Sequence, residues 1–230
     1  MPLNEKDQAI LENARQSLET MRQELVEELP PYLPSPGAKL TRIVSLWREI
    51  LRHRLVDLAS ASIDLFTQGR LVPAITLTRS FLETTASLYY FHKKIEGARS
   101  PEDLKELTSL LAKGVFGSKD GSSEYIAIQV LTAIKHVDKE FGGFEHEYFN
   151  LCEFAHPNMK GGLGAYTKIK LPEYSVSLGQ NPDGLPSGPF GLAALDIALE
   201  LALVIFARHK QTDRNFLDLV AKHATTIFPD

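Results

Sequence analysis

The stretch that decides the fold is GLAALDIALELALVIFA, residues 191–207, apolar throughout except for Gly191, Asp196 and Glu200. Its length approaches that of a membrane span, and its two acids reject that interpretation. A carboxylate in the middle of a bilayer costs several kcal/mol, and here there would be two, one turn apart, with no second apolar span to partner them. The alternative is a helix buried on most sides at the centre of a globular domain. Arg208, His209 and Lys210 close it in the manner expected of positive charge near a helix carboxyl end. Residues 212–228 then read as a final amphipathic helix carrying Phe216, Leu217, Leu219, Val220 and Ile227.

Upstream of this helix, residues 157–189 are rich in proline and glycine, and apolar alternation survives only at 165–171 and 174–178. We read a small β-hairpin inside a long loop, a partly ordered lid. Earlier still, helical spacing prevails. Asn4 precedes a polar periodic stretch to Leu29. Pro30, Pro31, Pro34 and Pro36 then make residues 30–37 a stiff link, because proline removes a backbone donor and forbids helix continuation. A long helix is expected over 39–68, ended by Gly69, and a third over 74–94 with Pro73 at its first turn. Ser100, Pro101, Glu102 and Asp103 form a start signal for a short helix: hydroxyl cap, first-turn proline and two carboxylates at the positive end. Further helices are expected over 124–141 and 144–155. The predicted fold class is therefore all-α, a bundle of about seven helices with a long loop or small β-hairpin at about 157–189 inserted before the last apolar helix. It is organised as an N-terminal amphipathic helix (1–29), the link (30–37) and a single helical domain (38–230).

Composition agrees with an ordinary globular protein: 230 residues, 43% hydrophobic, with a formal charge of -4 that argues against a surface built wholly for nucleic acid or anionic lipid. The charge is polarised. Residues 1–36 hold three basic and seven acidic residues, whereas 39–68 hold five basic and three acidic. The basic stripe of the second helix, with Arg48 and Arg52 one turn apart, is expected to be solvated, to dock the acidic first helix, or to face phosphate. Cys152 is the single cysteine, and the first residues lack the basic start and apolar core of a signal peptide, so a cytoplasmic location is expected. No phosphate-binding loop, nucleophile elbow, Cys-x-x-Cys or DNA-binding motif occurs, and no cofactor or membrane partner is expected.

Two groups of residues could carry chemistry. In the third helix Arg79 and Glu83 stand four apart beside the apolar stripe. An ion pair fixing two helices is the plain explanation; a partly buried guanidinium facing a pocket is the functional one. Arg before Glu is the less favourable order within a helix, so each is expected to find a partner elsewhere, Asp196 or Glu200 being the economical choice for Arg79. The second group runs from Glu145 to Asn158. If 144–155 is helical, Phe149, Cys152 and His156 share one side with Tyr148 and Glu153 nearby, so His156 is expected to point inward at the helix's carboxyl end. Otherwise His156 and Asn158 cap the helix ahead of Pro157. Glu153 and His156 also have the Glu-x-x-His spacing of paired-metal bundle sites, but no second copy exists in the chain, so no metal site is expected.

An Arg79-Ser80-x-Leu82-Glu83 helix followed by Tyr89 and Tyr90, then Tyr148, Asn150, His156 and Pro157, then a final apolar helix, resembles the HEPN superfamily of all-α domains over about residues 40–226. That resemblance implies an all-α fold. It includes metal-independent endoribonucleases of toxin and antiviral defence type, whose active site is Arg, four to six residues, then His, across a dimer interface. Here Asn150 stands where such an Arg would be wanted before His156. Arg48 and His53 satisfy the spacing but lie ahead of the Arg79 segment. The expectation is thus a HEPN-like domain binding a nucleotide-like or polar ligand, or a partner protein, among Arg79, Glu83, Tyr148, His156 and Asn158. The alternatives are a metal-independent endoribonuclease using His156 and Arg79, or the pair Arg48 and His53, and a non-catalytic homodimeric interaction module.

Overall fold

The structure is a computed structural model describing residues 4–31, 37–181 and 188–227, and the side chains of 188–190, 210 and 224–227 lie outside the description. Seven α-helices occur in it: α1 (Glu5–Gln23), α2 (Ala38–Thr67), α3 (Leu71–Gly97), α4 (Pro101–Phe116), α5 (Val130–Glu140), α6 (Phe144–Ala155) and α7 (Gly188–Ile227). A π turn (Met159–Gly164) and a two-stranded antiparallel hairpin, β1 (Thr167–Lys170) and β2 (Ser175–Leu178), precede α7. The all-α bundle with a small hairpin before the last helix is the architecture expected. Most of the 30–37 link, residues 182–187 of the lid and the end of the last predicted helix lie outside the described residues.

Local chemistry sets the helix starts. Asn4 caps α1 through its side chain, 2.9 Å from the Asp7 amide. Ser100 and Asp103 close a full capping box on α4, with Pro101 in the first turn. α1 is not a detached appendage: Leu11, Ala14, Leu18 and Met21 are buried against α7 and α2. The central element is α3, which packs against α2, α5, α6 and α7. Its Ala74, Ile75, Phe81, Leu82, Ala86 and Leu88 are at most 2% exposed.

Ten of the seventeen residues in the apolar 191–207 stretch are buried, and the exposed ones form a single stripe. Leu192, Leu195, Leu199, Ala202 and Phe206 enter the core, while Ile197, Glu200 and Val204 face solvent. It also does not end at Arg208. No glycine or proline interrupts residues 192–227, so the two expected helices run as one of 40 residues. His209 is 4% exposed inside it. Among the described residues no helix is long and apolar enough to cross a membrane. The hairpin is amphipathic: Thr167, Ile169, Val176 and Leu178 pair on one face and Lys168, Lys170, Ser175 and Ser177 on the other. Its apolar side chains are open, with Ile169 64% and Leu178 83% exposed.

Candidate functional site

The packing of α6 on α3 brings Arg79, Glu83 and Tyr148 together. Core positions of α6 are Phe144, Tyr148, Leu151 and Phe154, one stripe at helical spacing, which turns the Tyr148 ring onto α3. Its hydroxyl donates to Glu83 Oε1 at 2.9 Å and accepts from Arg79 Nη2 at 3.3 Å. The same guanidinium nitrogen donates to Glu83 Oε1 at 2.9 Å. Arg79 also lies over the Tyr148 ring, 5.5 Å from its centroid. Burial works against the Arg79 charge, yet the Tyr148 hydroxyl and Glu83 carboxylate outweigh it and raise its pKa. Burial and the facing carboxylate push the Tyr148 phenol up to about 12, against the pull of Arg79. Around neutral pH the triad is thus a cation, an anion and a neutral phenol. The Arg79 side chain remains 30% exposed and that of Glu83 26%.

Asp196 and Glu200 do not take Arg79. Glu200 is exposed, and Asp196 Oδ1 has no partner among the described residues. Burial, then the neighbouring Glu200, raises the Asp196 pKa. The reversed Arg-before-Glu order is tolerated because Tyr148 supplies the third member from another helix.

His156 lies elsewhere. Tyr148 precedes it by eight residues, about 12 Å along a helix axis. The stripe of Phe149, Cys152 and His156 faces outward: Phe149 is 49% exposed, Cys152 half-buried and His156 exposed. The inward pointing expected of His156 fails because the core claims the 144–148–151 stripe, about 100° away. His156 is the carboxyl-terminal cap residue of α6, and its ring has no hydrogen-bond partner among the described residues. Asn158 has a structural assignment. Its side chain accepts from the Lys160 and Gly161 amides at 2.9 and 3.1 Å and donates to Glu153 at 3.0 Å, which starts the π turn.

Arg48 and His53 also diverge. Arg48 bonds Glu49 at 2.9 Å and pairs with Asp213 of α7, whereas His53 Nε2 meets the Val26 carbonyl 3.1 Å away, beyond the end of α1. Five residues separate the two on α2, which turns their side chains about 140° apart. Within the second-helix basic stripe Arg48 and Arg52 therefore dock on α7, whereas Arg42 donates to the Pro30 carbonyl and Arg54 to Thr84 of α3 at 3.2 Å. Arg52 is 5% exposed; it donates to Glu49 Oε1 at 3.3 Å, meets His209 Nδ1 at 3.2 Å and covers the Phe206 ring at 4.2 Å. His92 packs edge-on against His209, centroids 4.9 Å apart. Burial foremost, then Arg52, lowers the His209 pKa to about 2, and burial lowers that of His92. This buried polar junction of α2, α3 and α7 was missed from sequence. Its trace was present: Arg48 and Arg52 sit on the Val44, Leu55, Ala59 stripe, and His92 follows Leu88 by one turn.

Among the described residues no group of three or more His, Cys, Asp or Glu side chains is arranged to hold a metal ion. Comparison with protein-family models, characterised proteins and solved structures finds no match to this chain.

Proposed function

We propose that this chain is a HEPN-like helical domain that binds a nucleotide-like or other polar ligand, in the cytoplasm, without transforming it. The observation that carries this reading is the separation, within one chain, of the arginines and histidines that a metal-independent ribonuclease uses together. Such an enzyme needs an imidazole to move a proton and a cation to stabilise the phosphorane within one substrate's reach. Arg79 is closed with Glu83 and Tyr148, His156 stands two turns further along α6, Arg48 is held by Asp213, and His53 by a backbone carbonyl. What remains favours recognition: a preset, partly exposed guanidinium on the Arg79 face, with the half-exposed Phe149 ring 5.6 Å from Tyr148 as a stacking surface.

The test is incubation of RNA with the full chain at high concentration in the presence of chelator. RNA is expected to stay intact. Cleavage that disappears in His156→Ala or in His53→Ala sinks the reading in favour of the endoribonuclease. A second reading, the homodimeric module, is favoured by one feature, the open apolar face of the hairpin. It requires a dimer in sedimentation that Ile169→Lys dissociates.

A further inference from the structure

A cleft of about 850 Å³ opens between the last turn of α3 and the middle of α7, on residues that neither the HEPN-like reading nor the Arg79 face uses. Its volume lies within the range of small-molecule sites. Lys93, Glu96 and Arg99 approach from α3 and the residues after it, and Arg208, Gln211 and Asn215 from α7.

The charges in this cleft are held in a fixed pattern. Lys93 Nζ sits 2.5 Å from Glu96 and 3.7 Å from Glu140, and Arg208 Nη1 sits 3.2 Å from Glu140. Arg99 donates to the Glu96 and Ala98 carbonyl oxygens, both at 2.6 Å, and so offsets the negative end of α3 that would otherwise repel an anion. Lys93, Arg99 and Arg208 line the cleft with Glu96, and their positive excess is offset from outside the lining by Glu140, which pairs with Lys93 and Arg208, and by Asp103, which accepts from the Arg99 amide at 2.8 Å. That balance suits at most one negative charge and opposes a triphosphate. Following Arg208 along α7, Gln211 and Asn215 stand one turn apart, Nε2 to Oδ1 3.5 Å, offering amide donors and acceptors. Ile95, Phe216 and Leu219 supply the apolar wall.

Behind Glu96 lies His92, 1% exposed, with neither ring nitrogen hydrogen-bonded among the described residues and Nε2 3.9 Å from Glu96 Oε1. A polar group so deeply buried beside the cleft gives Glu96 a second neighbour when an anion displaces it from Lys93.

We propose that the α3–α7 cleft binds a nucleotide of single negative charge, its phosphoryl group on Lys93 and Arg208 and its base against Ile95, Leu219 and the Gln211–Asn215 amides. This goes beyond the preceding reading and stands on different residues. The probe is cyclic AMP, a phosphodiester whose charge is constant between pH 5 and 8, titrated calorimetrically into the full chain. Adenosine and sulfate serve as the uncharged and base-free arms. Cyclic AMP is expected to bind more tightly than either, and more weakly as salt rises. Lys93→Gln and Arg208→Gln, both at surface positions, are expected to weaken it about tenfold, the worth of one charge-assisted hydrogen bond. Glu96→Gln is expected to tighten it several-fold, an improvement that a damaged fold would not produce. Lys119→Gln, at an exposed cation that lines neither the cleft nor the Arg79 face, is expected to leave it unchanged. Absence of cyclic AMP binding, binding equal to that of adenosine, or indifference to Lys93→Gln and Arg208→Gln overturns the proposal. Loss in Arg79→Ala alone moves the ligand to the Arg79 face and overturns the cleft, while the broader binding function survives. RNA cleavage with intact cyclic AMP binding removes the non-catalytic reading and leaves the cleft.

Discussion

His209 illustrates how one residue changes meaning between a sequence and a fold. Between Arg208 and Lys210 it reads as part of a solvated helix end; in the structure it accepts from Arg52 at 3.2 Å beneath the surface. Holding it there requires the neutral ring, as does holding His92, and both have folded-state pKa values below the ordinary 6.5. The unfolded chain therefore takes up protons that the folded chain refuses. Their contribution to stability is whole above about pH 6.5 and is lost as pH falls below it, before the carboxylates Glu96 and Glu140, themselves held below their usual range, begin to add to the loss. Urea unfolding at pH 7 and pH 5.5 is expected to show about 1 kcal/mol lost through His209, with His92 adding to the loss in the same direction. His209→Asn, which keeps an acceptor for Arg52 but cannot titrate, is expected to remove the His209 share of that loss. An unchanged pH dependence in the variant would show that the pair is not the source. Arg79, Glu83 and Tyr148 were legible as polar residues near a helix interface, but their mutual bonding was not, because side chains 65 and 69 residues apart share no local signal.

Helix existence was legible wherever the apolar period was strong or a cap had a mechanism, as at Ser100 and Pro101. Helix ends set by tertiary packing were not. α1 stops at Gln23 rather than Leu29, and α5 begins at Val130 rather than near Glu124, because Ser118 pairs with the extended 125–127 backbone, its amide donating to the Tyr125 carbonyl at 2.9 Å and its carbonyl accepting from the Ala127 amide at 3.1 Å. The largest departure is α7, whose continuity depends on a buried His209 at the predicted break. Its other end depends on Gly191. A Cβ there would stand 2.6 Å from Ile75 Cγ1 and 3.2 Å from the Phe66 ring, and those side chains are at most 1% exposed with nowhere to move. Gly191→Ala is expected to destabilise by about 1–3 kcal/mol through overpacking. Gly97→Ala, where nothing lies within 4 Å of the new carbon, is expected to be neutral or slightly stabilising in the same urea titration. Equal effects from the two substitutions would show that α7 does not press on α2 and α3 as described.

At the scale of the whole molecule, the acidic N-terminal segment and the basic second helix suggest two bodies attracting each other, yet burial makes them one. Met21 is fully buried, and α1 is tied across to α2 by Arg15 to Thr67 at 3.1 Å and Arg22 to Ser60 at 2.9 Å. Met21→Ala is expected to cost about 2–5 kcal/mol in a single unfolding transition. Two transitions, with only the first one shifted, would mean that α1 docks as a separate unit. The sequence pattern thus pointed to the bundle and to Arg79, while the α3–α7 cleft was illegible because it is formed by the ends and middles of helices distant in the chain. The claim at the centre of this account is recognition without chemistry, and ligand-induced stabilisation tests it most directly. The melting midpoint of the full chain is measured against a panel of nucleotides carrying one to four negative charges. A bound member at a hundred times its dissociation constant adds about 2.7 kcal/mol, which for a chain of this size raises the midpoint by roughly 5–10 °C. The account predicts such a rise, largest for singly charged members; a panel that leaves the midpoint unmoved at millimolar concentration contradicts it.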